Sequence, residues 1–176
     1  MNERLFWNTR SQYGVLSIIL HWVVAIGFSG MILMGFLMAG NVFSAKWVSW
    51  YPLHKKVGVI LLCVVLVRSF SRYYPVRVCS SSQALHNWLY AGLVAMPVSG
   101  WVMSCASGKA PVLFGVSLWV VPSGSQWLAK IASWGHLILA LLMEVLIIGH
   151  TWRLLASWSR GERLIYKMIL FRNKQK

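Results

Sequence analysis

Acidic side chains are almost missing from this chain of 176 residues: Asp and Glu together number 3, against 17 Lys and Arg, for a formal net charge of +14. Charge of either sign is scarce, at 11% of residues, where a soluble domain carries about 25%. With 58% hydrophobic residues and a mean hydropathy of +0.63, the chain does not read as a water-soluble domain. It reads as a membrane protein. A basic excess of this size first suggests nucleic acid, but the long apolar runs argue against that partner. The cations instead suit orientation in, and contact with, anionic membrane lipid.

Cysteine is also scarce. Cys63, Cys79 and Cys105 form no Cys-x-x-Cys or Cys-x-x-Cys-His pattern, which excludes covalent haem attachment by the usual motif. An odd number of thiols at different depths argues against a disulfide framework, and no internal repeat or low-complexity segment is present. A cleavable signal is not expected either. The uncharged run from Gly14 to about Gly40 exceeds the 7–15 apolar residues of a signal peptide and shows no obvious small-residue cleavage site.

The chain is expected to be all-α: a single membrane domain over residues 1–176, a four-helix transmembrane bundle with a C-terminal interfacial amphipathic helix. The helices are expected at about 14–40, 53–71, 83–104 and 127–155. The second is the least obvious. Its uncharged core, Val57 to Val67, is half a span and reaches full length only by including Lys55, Lys56 and Arg68, whose long side chains can snorkel. Ser80, Ser81 and Ser82 offer N-cap chemistry for the third helix, which tolerates Pro97 and Gly100 where neighbours cover the freed groups. The loop over about 107–126 is apolar for a loop and is expected to lie on the membrane surface or cap the bundle. In the tail, about 160–172, basic residues flank the stripe Leu164, Ile165, Met168, Ile169 and Leu170, as an interfacial helix requires.

Four spans place both termini on one side. That side holds Arg4, Arg10, Arg68, Arg72, Arg77, Arg153, Arg160, Arg163, Lys167, Arg172, Lys174 and Lys176; the other holds Lys46, Lys55, Lys56, Lys109 and Lys130. The bias predicts that both termini lie in the cytoplasm.

Histidines carry the chemistry. His136 and His150 lie fourteen residues apart on the fourth helix, so they leave faces about 40° apart and lie roughly 21 Å apart along the axis. The topology puts His21 at the depth of His150 and His54 at the depth of His136. Two opposed imidazoles suit a six-coordinate haem iron. The expectation is two non-covalent b haems, with His21 and His150 on the cytoplasmic-side iron and His54 and His136 on the outer one. Arg68, fourteen residues after His54, comes off nearly the same face and is expected to meet a haem propionate; Lys55 and Lys56 are weaker candidates for the outer haem. Gly58, Gly27, Gly30, Gly100 and Gly149 could allow close approach or simply serve helix packing. One zinc site drawing on all four histidines is opposed by the separation of the pairs. A haem-free protein with structural histidines remains the plain alternative. His86 could bind quinone or a propionate, or satisfy a helix end. Glu144, mid-span, lies roughly 80° round from His136 and 120° from His150, so it need not face the haems.

The motifs His21-Trp22, His54-x-x-x-Gly58, Val67-Arg68-x-x-x-Arg72-x-x-Pro75, His86-x-x-x-Tyr90, Pro97-x-x-Gly100, His136…His150 and Arg163-Leu164-Ile165-Tyr166-Lys167-Met168 occur in this order. In that order and spacing the chain resembles the bacterial cytochrome b561 family, related to the cytochrome b subunits of hydrogenases and formate dehydrogenases. The resemblance implies four helices around two b haems. It assigns the ligands to His21, His54, His136 and His150, and implies electron exchange with quinone, ubiquinone being the expected acceptor. Some members look like superoxide:ubiquinone oxidoreductases, and the outer lysines would steer such a small anion. Two functions follow: a stand-alone oxidoreductase passing electrons to quinone, or a haem-bearing anchor relaying electrons from a partner dehydrogenase or hydrogenase.

Overall fold

The computed structural model describes residues 8, 13–39, 50–73 and 83–161. Four helices dominate it: α1 (Val15–Ala39), α2 (Tyr51–Tyr73), α3 (Gln83–Ala106) and α4 (Gln126–Ser159). Their bounds fall within a few residues of those expected. The expected interfacial tail lies outside the described residues, beyond a turn at Arg160 and Gly161.

α1, α3 and α4 are long and apolar enough to cross a membrane. α2 is not among them, because Lys55, Lys56, Arg68 and Arg72 confine its uncharged stretch to Val57–Val67. On α4, Trp134 and Trp152 turn exposed rings outward. Eighteen residues separate them, about 27 Å along the axis, close to the roughly 30 Å of a hydrocarbon core. Indole rings favour the two edges of that layer.

Helices adjacent in sequence pack together: α1 on α2, α2 on α3, and α3 on α4. The core they enclose is made of Val24, Phe28, Met31 and Ile32 of α1, Leu61 and Val65 of α2, Met96 of α3 and Met143 of α4. Met143 is 1% exposed, and its thioether lies over Gly92, where no side chain intervenes. Lipid is as apolar as this interior, so close packing rather than escape from water holds the helices together. Met143→Ala leaves a cavity there and is expected to cost about 2–5 kcal/mol, towards the lower figure because the transfer contribution is small. A fall in the thermal midpoint of the detergent-solubilised protein measures it.

The segment preceding α1 is tied to the end of α2 by one side chain. Buried Asn8 donates Nδ2–H to the Ser71 carbonyl at 2.6 Å and accepts the Gly14 N–H at 3.0 Å.

The loop between α3 and α4 is more ordered than expected. It contains an antiparallel hairpin, β1 (Val112–Leu113) with β2 (Val116–Ser117), in register Val112 to Ser117 and Leu113 to Val116. Apart from this hairpin the regular structure of the described residues is helical, as expected. Strands of two residues are too short to show an alternating pattern, so only the Phe114-Gly115 turn could have signalled them.

Candidate functional site

Histidines from three helices meet in two places. His21 of α1 and His150 of α4 have ring centres 6.4 Å apart, with planes inclined at 65°. His54 of α2 and His136 of α4 also have centres 6.4 Å apart, at 85°. The expected pairs are therefore the pairs the fold brings together. Along α4 they are separated by roughly 21 Å.

The spacing fits the expected use. An imidazole nitrogen binds a first-row metal at about 2.0–2.1 Å, and the ring centre lies about 1 Å behind it. Two imidazoles facing each other across one ion thus have centres about 6 Å apart.

The pair near the α3–α4 loop is the better prepared. His136 shares its Nδ1–H between the Met96 carbonyl and the Ser99 hydroxyl, each at 3.0 Å. A carbonyl can only accept, so the proton sits on Nδ1 and the lone pair on Nε2, the arrangement a metal-binding histidine needs. The partner ring, His54, has a buried Nδ1 with no hydrogen bond among the described residues. Between them lies an apolar cavity of about 410 Å³, lined from all four helices by residues that include Phe28, His54, Gly58, Met96, Gly100 and His136. Gly100 lets α3 come close: a Cβ there would lie 2.9 Å from Cε1 of His136. The other glycines singled out in the sequence touch no histidine. Gly27 faces Leu61, Gly58 faces Met31, and Gly30 and Gly149 face open space. A flat, apolar macrocycle with iron at its centre fits this chamber and its donor set.

The pair near the start of α1 and the end of α4 is more polar. Arg68 donates Nη1–H to the Ser17 carbonyl at 2.9 Å, and its Nη2 lies 2.9 Å from Nδ1 of His21. A guanidinium only donates, so Nδ1 of His21 accepts and its Nε2 carries the proton. Ligation through Nε2 therefore requires Arg68 to give up this bond. The guanidinium also lies 5.8 Å from the centre of the Tyr90 ring, within cation–π range.

His86 of α3 stands edge-on to His150 with centres 5.3 Å apart, too close for an ion between opposed rings. Glu144 is exposed midway along α4 and makes no ion pair among the described residues. On the loop side, Lys55 donates to the Lys109 carbonyl at 2.8 Å. Cys63 and Cys105 are free thiols. Sequence reasoning did not identify Ser99 or Met96, since nothing in the order of residues marks a serine or a carbonyl as the partner of a histidine on the next helix.

Residues 12–170 match the family described as prokaryotic cytochrome b561. The chain is also similar to cytochrome b561 homolog 2 of Escherichia coli (strain K12), with 31% identity over 159 residues, covering 82% of this chain and 84% of that protein. The family implies haem b, which the paired imidazoles suit, and the spans suit a bacterial membrane. The chain belongs to the prokaryotic cytochrome b561 family of membrane electron-transfer proteins.

Proposed function

We propose that this cytochrome binds two b haems, one at each membrane surface, and passes electrons between an outer donor and quinone. The observation that carries the reading is the pair of 6.4 Å imidazole couples, one at each end of the bundle. In this reading α2 is a fourth span and the basic bias puts both termini in the cytoplasm. His54 and His136 hold the outer haem; His21 and His150 hold the cytoplasmic one. Bound haem supplies one-electron transfer.

The protein's own residues orient and insulate. Met96 and Ser99 fix the His136 ring, and the core side chains of all four helices keep water from the chamber. Arg68 has a double task. By turning to a propionate it neutralises the carboxylate, and it releases the lone pair of His21 from its present hydrogen bond.

Superoxide is the donor we favour. Lys55 lines the outer chamber, Lys56, Lys109 and Lys130 are exposed on the helix and loop ends of that side, and positive charge raises the local concentration of a small anion. Quinone, ubiquinone above all, takes the electrons. The test uses the purified, haem-loaded protein with superoxide and a soluble ubiquinone analogue. Quinol formation above the rate without protein is expected. If none forms, and reduction appears only after a dehydrogenase subunit is added, the chain is an anchor subunit instead.

A further inference from the structure

The hairpin between α3 and α4 has no role in the reading above. Its turn residues, Phe114 and Gly115, have φ of +50° and +81°, the left-handed pair of a type I′ turn. Asn or Gly is the usual choice at the first position; phenylalanine is strained there. The ring gains nothing from the fold in return, since Phe114 is 95% exposed. Val112, Val116, Trp119 and Val120 are exposed around it, and from Ala110 to Ala129 no residue is charged.

Depth decides what covers this surface. The base of the hairpin is tied to the side of α3. The Leu118 carbonyl accepts Trp101 Nε1–H at 2.8 Å and faces the Cys105 thiol at 3.4 Å. Those residues lie one and five positions before the end of α3, so the exit of β2 sits up to about 7 Å below that end. Pro111 is drawn to the same level, because its carbonyl accepts the Leu118 N–H at 2.9 Å. A 24-residue helix is about 36 Å long, so its last turn straddles the edge of a roughly 30 Å hydrocarbon layer. Two further bonds hold the loop down: Lys55 Nζ–H to the Lys109 carbonyl, and the Gly124 N–H to the Ala106 carbonyl at 3.1 Å.

We infer that the Phe114 hairpin is a membrane anchor, lying in the leaflet at the α3–α4 loop end of the bundle with its tip at the boundary of headgroups and acyl chains. The inference rests on α3 and α4 crossing the bilayer. Apolar rings and β-branched side chains are what that boundary takes up. A water-facing tip, or one made to dock a soluble redox protein, would not need its attachment sunk below the helix end.

Photocrosslinking in the full-length, haem-loaded protein tests this. Benzoylphenylalanine replaces Phe114, the protein is reconstituted into phosphatidylethanolamine and phosphatidylglycerol vesicles, and products are read by mass spectrometry. Lipid adducts at position 114 are expected. An adduct to a second polypeptide, or a ketone recovered unreacted, overturns the inference. The same probe in place of Leu141, exposed halfway along α4, is the reference. Lipid capture there without capture at 114 refutes the anchor alone, whereas capture at neither refutes the span as well. If the Phe114 variant loses its haem spectrum, the probe moves to Val116, with the same outcomes.

Discussion

A variant with His136 replaced by alanine should retain about half of the haem bound per chain, and the haem that remains should stay low-spin. His54→Ala should do the same, and the double variant should be no worse than either single one. Two residues that act as one clasp are strongly non-additive: once the first is gone, there is nothing left for the second to hold. His21→Ala and His150→Ala form the other couple. Combining His136→Ala with His150→Ala crosses the couples and should leave no six-coordinate haem. Pyridine haemochrome content and low-temperature electron paramagnetic resonance read this out directly. A single variant with its full porphyrin content and low-spin signals unchanged removes that histidine from the ligand set.

The two couples should also differ in how they fail. His136 already has its Nδ1 proton directed at Met96 and Ser99, so losing His54 releases the haem on that side and leaves the His136 ring where it was. His21 is engaged by Arg68, and at that end the guanidinium, Tyr90 and His86 are all near the vacated position. Mixed or exchangeable ligation is therefore expected after substitution at the polar end rather than at the apolar one.

Much of this was legible in the residue order, and the reasons are specific. α1, α3 and α4 are visible because long uncharged runs have no other use at this length. The histidine couples are visible because fourteen residues is nearly four whole turns, and the helix order then matches depths across the bundle. Arg68 is visible by the same spacing from His54. What it touches is not: its bond to His21 depends on how α1 crosses α2. For the same reason Ser99 and the Met96 carbonyl were hidden, although His136 was not. The approach of His86 to His150 is likewise a fact of packing between α3 and α4. Glu144 had no role fixed by the residue order. Its helical angle placed it away from the histidines, and it is exposed on α4. The hairpin escaped because two-residue strands carry no periodicity.

Gly100 gives the sharpest separation of the two proposed haem sites by a residue that belongs to neither ligand set. In the sequence it was one of five glycines that might allow close approach; in the fold it alone touches a histidine. A Cβ at this position would lie 2.9 Å from Cε1 and 3.2 Å from Nδ1 of His136, closer than carbon atoms come in folded proteins. The obstructing group is a rigid ring rather than the end of a flexible chain, and its Nδ1 is tied to α3. It cannot swing aside without breaking those bonds. Gly100→Val should therefore displace the imidazole at a cost of about 1–3 kcal/mol, a roughly ten- to hundredfold loss of affinity for the haem on the loop side. Gly100→Ala should fall between this variant and the parent. A haem held by the other couple, His21 and His150, roughly 21 Å away along α4, should keep its content, potential and spectrum. Gly30→Ala, where a Cβ meets nothing within 4 Å, should change neither haem, so it separates contact with the ring from a general intolerance of larger residues in the spans. Equal loss of both haems in Gly100→Val would mean that the substitution unpacks α3 from its neighbours, and the close approach to His136 would then not be what sets the fit of the loop-side chamber.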